Sequence, residues 1–292
     1  MNPLFELLTS AGPVLTDGAW GTQLQARGLA FGACPDAWNL TNPELVMQVA
    51  QGYVAAGSRV ILTNTFGASR ITLERHGLSD SAEAINREGA AISKRAADTG
   101  NGVYVFASIG PTGKMLGMGE ISSEQAYDAF LEQALALAEG GADALVVETM
   151  SDLEEAVIAL RAAKETGLPL VVCMTYGAGK QADRTIMGTT PEQAAARLVA
   201  EGASAIGANC GQGAEQMLPI CSRLKVASEG LPVWIKPNAG LPVIEDGRAV
   251  YKTTPAEFAT NITTLIQAGA SFIGGCCGTS PEYIAAVKSS LK

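Results

Sequence analysis

Near the C-terminus two adjacent cysteines, Cys276 and Cys277, lie in a glycine-rich stretch, Phe272-Ile-Gly-Gly-Cys-Cys-Gly-Thr-Ser-Pro281. A third, Cys210, occupies a matching frame, Ile206-Gly-Ala-Asn-Cys-Gly-Gln-Gly213. Three soft thiolates at the ends of apolar, strand-like runs are the make-up of an open zinc site, which keeps a fourth position for substrate. Successive side chains of a regular strand point to opposite faces, so Cys276 and Cys277 would diverge. Gly274, Gly275 and Gly278 let the backbone leave the extended form and turn the pair into a clip. Buried small side chains and a vicinal redox disulfide are the alternatives, and a strained adjacent pair is disfavoured in a reducing compartment.

The chemistry such a site favours is thiol activation. A free thiol has a pKa of about 8.5, so little of it is thiolate at neutral pH, and coordination removes the proton. Three cysteinates weaken the metal as a Lewis acid and leave a bound sulfur electron-rich, whereas water activation uses neutral His or a His/carboxylate mixture. The chain has one histidine, His76, before Gly77 at what reads as a helix end, a C-terminal capping place. A histidine-based triad or His-rich metal site is thereby excluded. The expected nucleophile is a metal-bound thiolate attacking an electrophilic carbon. Cys34, Cys173 and Cys221 are scattered and read as buried small hydrophobes.

These residues sit at the ends of eight short Val/Ile/Leu-rich runs, at 13–17, 59–64, 103–109, 144–148, 170–175, 204–209, 233–237 and 271–276. Runs without strict alternation suit parallel strands buried on both faces. Helix starts fall between them. Ser122-Ser-Glu-Gln125, Thr190-Pro-Glu-Gln193 and Thr254-Pro-Ala-Glu257 are capping boxes, and Thr41-Asn-Pro-Glu and Ser280-Pro-Glu-Tyr look like two more starts. Eight strands alternating with helices predict a (β/α)8 barrel, one domain over 1–292. The rival, a doubly wound sheet, lacks a G-x-G-x-x-G after its first strand.

A weak internal repeat supports the barrel. Gly57, Gly141, Gly202 and Gly269 introduce the second, fourth, sixth and eighth runs, and seven residues after each come Asn64, Glu148, Asn209 and Cys276. Alternate strands thus carry polar residues at one level, the C-terminal rim where barrel active sites are built. Asn64, Asn209 and Asn238 are amides able to bond substrate or a metal ligand, or only a turn. Asn238 is also a candidate for the open metal position when no thiol is present. The longest connections, Gly18 to about Thr41, Gly110 to about Ser122 and Tyr176 to about Thr190, are expected to cover substrate.

Composition narrows the partners. Of 292 residues 47% are hydrophobic and 17% charged, with a net charge of −9, which argues against nucleic acid or an anionic membrane. The first residues are acidic where a signal peptide is basic, and no apolar run approaches about 20 residues, so a cytoplasmic protein is expected.

Several motifs resemble the homocysteine S-methyltransferase family, of the type found as the homocysteine-binding domain of cobalamin-dependent methionine synthase and in betaine–homocysteine methyltransferase. They are Asp17-Gly-Ala-Trp-Gly-Thr22, Asn64-Thr-Phe-Gly67, Ser108-Ile-Gly-Pro-Thr-Gly113, Glu148-Thr-Met-Ser-Asp152, Gly207-Ala-Asn-Cys210, Pro237-Asn-Ala-Gly240 and Gly274-Gly-Cys-Cys-Gly-Thr-Ser-Pro281. They span essentially the whole chain in family order. The resemblance implies a (β/α)8 barrel, zinc on Cys210, Cys276 and Cys277, and methyl transfer to homocysteine giving methionine. It assigns Asp17 and Glu148 as the catalytic acids that hold the ammonium of homocysteine. The N–H groups of Gly18 and Ala19 would receive its carboxylate, with Asn64, Asn209 and Asn238 around the substrate. Trp20 stands where Met is commonest, either to stack on a donor or to close the barrel mouth.

The methyl donor stays open among S-methylmethionine, S-adenosylmethionine, betaine and a methyl-corrinoid protein partner. Two other classes compete. One is a non-catalytic zinc- or thiol-binding subunit that presents homocysteine to a partner. The other is a phosphate-binding barrel lyase with Lys236 as a Schiff-base lysine.

Overall fold

The computed structural model describes residues 2–245 and 248–291, so Met1, Asp246, Gly247 and Lys292 of the expected 1–292 unit lie outside it. Its strands are β1 (Val14–Leu15), β2 (Val60–Ile61), β3 (Tyr104–Ile109), β4 (Ala144–Met150) and β5 (Leu170–Met174), then β6 (Ala205–Gly213), β7 (Val233–Asn238), β8 (Val243–Glu245), β9 (Arg248–Val250) and β10 (Phe272–Ile273). All but β8 and β9 pair side by side in the order β1-β10-β7-β6-β5-β4-β3-β2, every pair parallel. Each is followed by a helix, from Pro43–Ala56 after β1 to Pro281–Ser290 after β10. Arg59 N–H donates to Leu15 O at 2.8 Å across the seam between β1 and β2. The expected (β/α)8 barrel is present.

Alternation decides which side of each strand meets which layer. Val14, Val60, Phe106, Val146, Val171, Trp234 and Phe272 fill the barrel interior. Their outward neighbours Leu15, Ile61, Val105, Val147, Val172, Ile235 and Ile273 lie under the helices. Both faces are apolar, as parallel strands between helices require. The interior is completed by the helix Pro3–Thr9, started by Asn2 accepting from Leu4 N–H. Its Phe5 enters from the N-terminal end of the strands and stacks on Phe106 at 5.5 Å, edge-on to Phe272 at 5.4 Å. Nothing in the residue pattern announces this plug.

The three capping boxes close reciprocally at Ser122/Gln125, Thr190/Gln193 and Thr254/Glu257. The helices starting at Pro43 and Pro281 use proline in the first turn and have no side-chain cap bond. Thr190→Ala should cost about 1 kcal/mol, read as a lower urea midpoint with an unchanged slope.

Some boundaries differ from expectation. β1, β2 and β10 are two residues long, because beyond them glycines and side-chain bonds replace the backbone ladder. The expected long connections after β1, β3 and β5 are there, and 239–254 after β7 is a further one, carrying the β8–β9 hairpin. His76 ends the short helix Glu74–His76 before Gly77 at φ 67°, as its sequence context implied. Cys34, Cys173 and Cys221 are buried. Among the described residues no helix is long and apolar enough to cross a membrane.

Candidate active site at the barrel rim

Two irregularities shape the C-terminal rim. The β4–β5 register shifts between Val147 and Met150, and the β6–β7 register between Asn209 and Gly213. Bulges of this kind re-aim side chains beside functional sites. At them Thr149 and Cys210 adopt left-handed backbone, φ 61° and 58°, a conformation costing about 1–3 kcal/mol in a non-glycine residue. In an unbroken pleat Cys210, next to the inward Asn209, would face the helix layer. The left-handed turn brings its Sγ to 3.7 Å from Cys277 Sγ.

β10 stops at Ile273, and Gly274 and Gly275 carry the chain into a turn. Cys276 N–H bonds Pro237 O at 2.8 Å, and Ala239 N–H bonds Cys277 O at 3.0 Å. The clip inferred from the glycines is formed: the sulfurs of Cys210, Cys276 and Cys277 all lie within 4.8 Å of one another. They share hydrogen bonds, and those from Cys210 and Cys276 push Cys277 down to about 3 against the effect of burial. Hydrogen bonding to Cys210 and then to Cys277 pushes Cys276 well up. Tyr251 borders the clip; a Cβ at Gly278 would run into its ring. Asn238 is 5% exposed and its Oδ1 has no hydrogen-bond partner. Three thiols and a nearby orphaned oxygen fit a soft metal ion with a fourth, exchangeable position.

Beside the sulfurs lies Glu148. Its carboxylate accepts Ser108 Oγ at 2.5 Å and Asn209 Nδ2 at 3.0 Å. Asn209 is itself locked, its Oδ1 accepting Thr149 N–H at 2.7 Å and its Nδ2 reaching Thr149 Oγ1 at 2.7 Å. Burial lifts the Glu148 pKa above the usual carboxylate range, while Lys236 and the Ser108 hydroxyl hold it down. One pleat inward, Lys236 Nζ is ion-paired with Asp17 Oδ1. Asp17 Oδ2 accepts Trp20 Nε1 at 2.8 Å and Leu62 N–H at 2.7 Å. It thereby substitutes for a ladder acceptor across the β1–β2 seam. Burial opposes the Lys236 charge, but Asp17 and then Glu148 outweigh it and keep its pKa raised.

The structure therefore gathers Cys210, Cys276, Cys277, Glu148, Asn209 and Asn238 at one rim, with Asp17 below them. Other expected site residues make contacts within the chain. Asn64 Nδ2 is taken by Pro35 O at 2.8 Å and Asn39 Oδ1 at 3.0 Å, so this amide anchors the connection after β1. Ala19 N–H bonds Thr279 Oγ1 at 3.1 Å and Ala19 O accepts Tyr53 OH at 2.5 Å. A Cβ at Gly18 would meet the same two side chains at 2.7 and 2.9 Å. Gly18 and Ala19 are thus packed against Tyr53 and Thr279, and the Ala19 N–H is taken by the Thr279 hydroxyl. Trp20 Nε1 donates to Asp17, a contact its motif did not announce. A Schiff-base lysine needs a neutral amine, and the charged, ion-paired Lys236 is its opposite.

Ser108 and Tyr251 were not singled out from the sequence, and Trp20 and Lys236 only for roles other than their contacts with Asp17. For two of them a signal existed. Ser108 is the next inward position after Phe106 in β3, and Lys236 follows Trp234 by two in an otherwise apolar run.

A family model described as homocysteine S-methyltransferase matches residues 14–291. The methionine synthases of Mycobacterium leprae and Mycobacterium tuberculosis are each 32% identical over 94% of this chain, which spans 24% of their length. The crystal structure of the homocysteine methyltransferase MmuM from Escherichia coli, in its metallated form, superposes with TM-score 0.83 at 25% identity, covering 99% of both chains. Its oxidized form gives 0.81 at 25% identity, again over 99% of both chains. With its sulfur cluster and Glu148 set on this barrel, and matched from the first strand to the last helix, the chain belongs to the homocysteine S-methyltransferase family.

Proposed function

We propose that the protein is a zinc-dependent methyltransferase that methylates the sulfur of homocysteine to give methionine. The observation that carries this is the convergence of the three cysteine sulfurs beside a buried, hydrogen-bonded Glu148 at the barrel rim. Bound zinc supplies deprotonation of the incoming thiol at neutral pH. Cys210, Cys276 and Cys277 would hold the metal, with the unpartnered Oδ1 of Asn238 on the neighbouring strand end. Glu148 receives the substrate ammonium by a charge-assisted hydrogen bond. Ser108 and Asn209 fix the Glu148 carboxylate, so that the sulfur is presented in one orientation.

Among the donors, a protein-borne methyl group such as a methyl-corrinoid partner is favoured by one surface feature. Of the twelve large apolar side chains that stand exposed among the described residues, nine lie in the segments following β1, β2, β3, β5 and β7. Phe31, Phe66, Met115, Met118, Ile186 and Met187 are among them, and Met-rich surfaces adapt to partners. A cytoplasmic location accords with this chemistry.

The test is methionine formation by zinc-loaded protein against S-methylmethionine, S-adenosylmethionine, glycine betaine and a methyl-corrinoid, free and protein-bound. Turnover with the protein-bound corrinoid is the expected result. No methionine from any donor, with zinc and homocysteine both bound, would favour the presenting-subunit alternative.

A further inference from the structure

Lys236 and Asp17 form the one ion pair among the described residues in which both partners are fully buried, their side chains 2% and 0% exposed. An ionised carboxylate has about four lone-pair sites. Lys236, Trp20 Nε1 and Leu62 N–H take three of those on Asp17, and the group is sealed from solvent. Glu148 accepts from Ser108 and Asn209 only, and at 7% exposed it reaches the rim. The two acids are therefore not equivalent. The charges of Lys236, Asp17 and Glu148 sum to one negative charge, which matches a single ammonium.

We propose that Glu148 alone reads the ammonium of the acceptor thiol, and that Lys236 sets specificity as an internal ammonium occupying Asp17. Resting on the homocysteine reading above, this makes Lys236 a positioning residue that relaxes the demand for an amino group. Without it, Asp17 would be a second carboxylate free to bind the substrate ammonium, and selectivity for amino thiols over their desamino analogues would sharpen.

The experiment compares homocysteine with 4-mercaptobutanoate by calorimetric titration of the zinc-loaded protein. The two share thiol, chain and carboxylate, so the ratio of their dissociation constants isolates the amino group. The wild type should prefer homocysteine by about tenfold, one charge-assisted hydrogen bond. Glu148→Gln should bring the ratio near one, and Lys236→Met should raise it a further tenfold or so. The double variant Asp17→Asn with Lys236→Met, which removes both buried charges, should restore the wild-type ratio. An unmoved or lower ratio in Lys236→Met, or a ratio near one in the double variant, overturns the assignment. If Lys236→Met does not fold, the double variant alone decides by the same criterion. Absence of binding of either thiol by the wild type overturns the homocysteine reading and this assignment with it, whereas binding with an unmoved ratio overturns the assignment alone.

Discussion

Serine in place of Cys210, and separately of Cys277, should leave a folded protein nearly free of zinc. Each of these sulfurs is one of three within 4.8 Å of one another, and a hydroxyl is a hard, weakly acidic donor where a soft thiolate stood. Losing even a supporting contact around a metal ligand costs about 10–100-fold in affinity, so losing the ligand should exceed about 100-fold. Metal analysis after dialysis against a competing chelator measures this, with Cys34→Ser, whose thiol lies outside the cluster, as the control that keeps its zinc. Methionine formation should disappear in step with the metal. Full zinc stoichiometry in both variants would sink the site.

Gly274→Ala should damage the barrel and the sulfur cluster together. Its Cβ would overlap Thr16 Oγ1 and lie 2.5 Å from Asp17 O. The Thr16 hydroxyl has no hydrogen-bond partner and can rotate away. The Asp17 carbonyl cannot, because it accepts Gly275 N–H at 3.0 Å and its residue carries the Lys236 pair and the β1–β2 seam. Overpacking of this kind costs about 3 kcal/mol. The displaced strand end also carries Cys276 and Cys277, so zinc should bind more weakly. The urea midpoint and the zinc dissociation constant should therefore worsen together. An unchanged midpoint with unchanged zinc binding would show that the approach of β10 to Asp17 is looser than described.

The barrel was legible because its strands are apolar on both faces and its helices announce themselves, as at Thr190-Pro-Glu-Gln193. The sulfur cluster was legible for a different reason: cysteine types and flanking glycines carry the chemistry in the residues themselves. What escaped depends on backbone conformation at non-glycine residues. Nothing in the order of residues says that Cys210 turns left-handed, yet that turn brings it to Cys277. Asp17 was recognised as a rim acid from its motif, but its partner lies 219 positions away on β7. Side-chain pairing across the barrel is set by which inward positions share a level, and spacing along the chain does not encode it. Asn64 illustrates the reverse error. An amide at the right strand end looked free for substrate, and the chain uses it to tie down its own loop.

The Phe5 plug bears on how the molecule is made. Phe5 seats against Phe272, and β1 finds one of its neighbours in β10. During synthesis the Phe5 ring must wait unhoused until Phe272 has left the ribosome. Contacts of such long sequence separation form late and leave apolar surface open to misassembly in the interval. The sulfur cluster matures on the same schedule, since Cys210 has no partners until Cys276 and Cys277 emerge. In the zinc-dependent reading proposed above, the three sulfurs would come together only once β10 has joined the barrel.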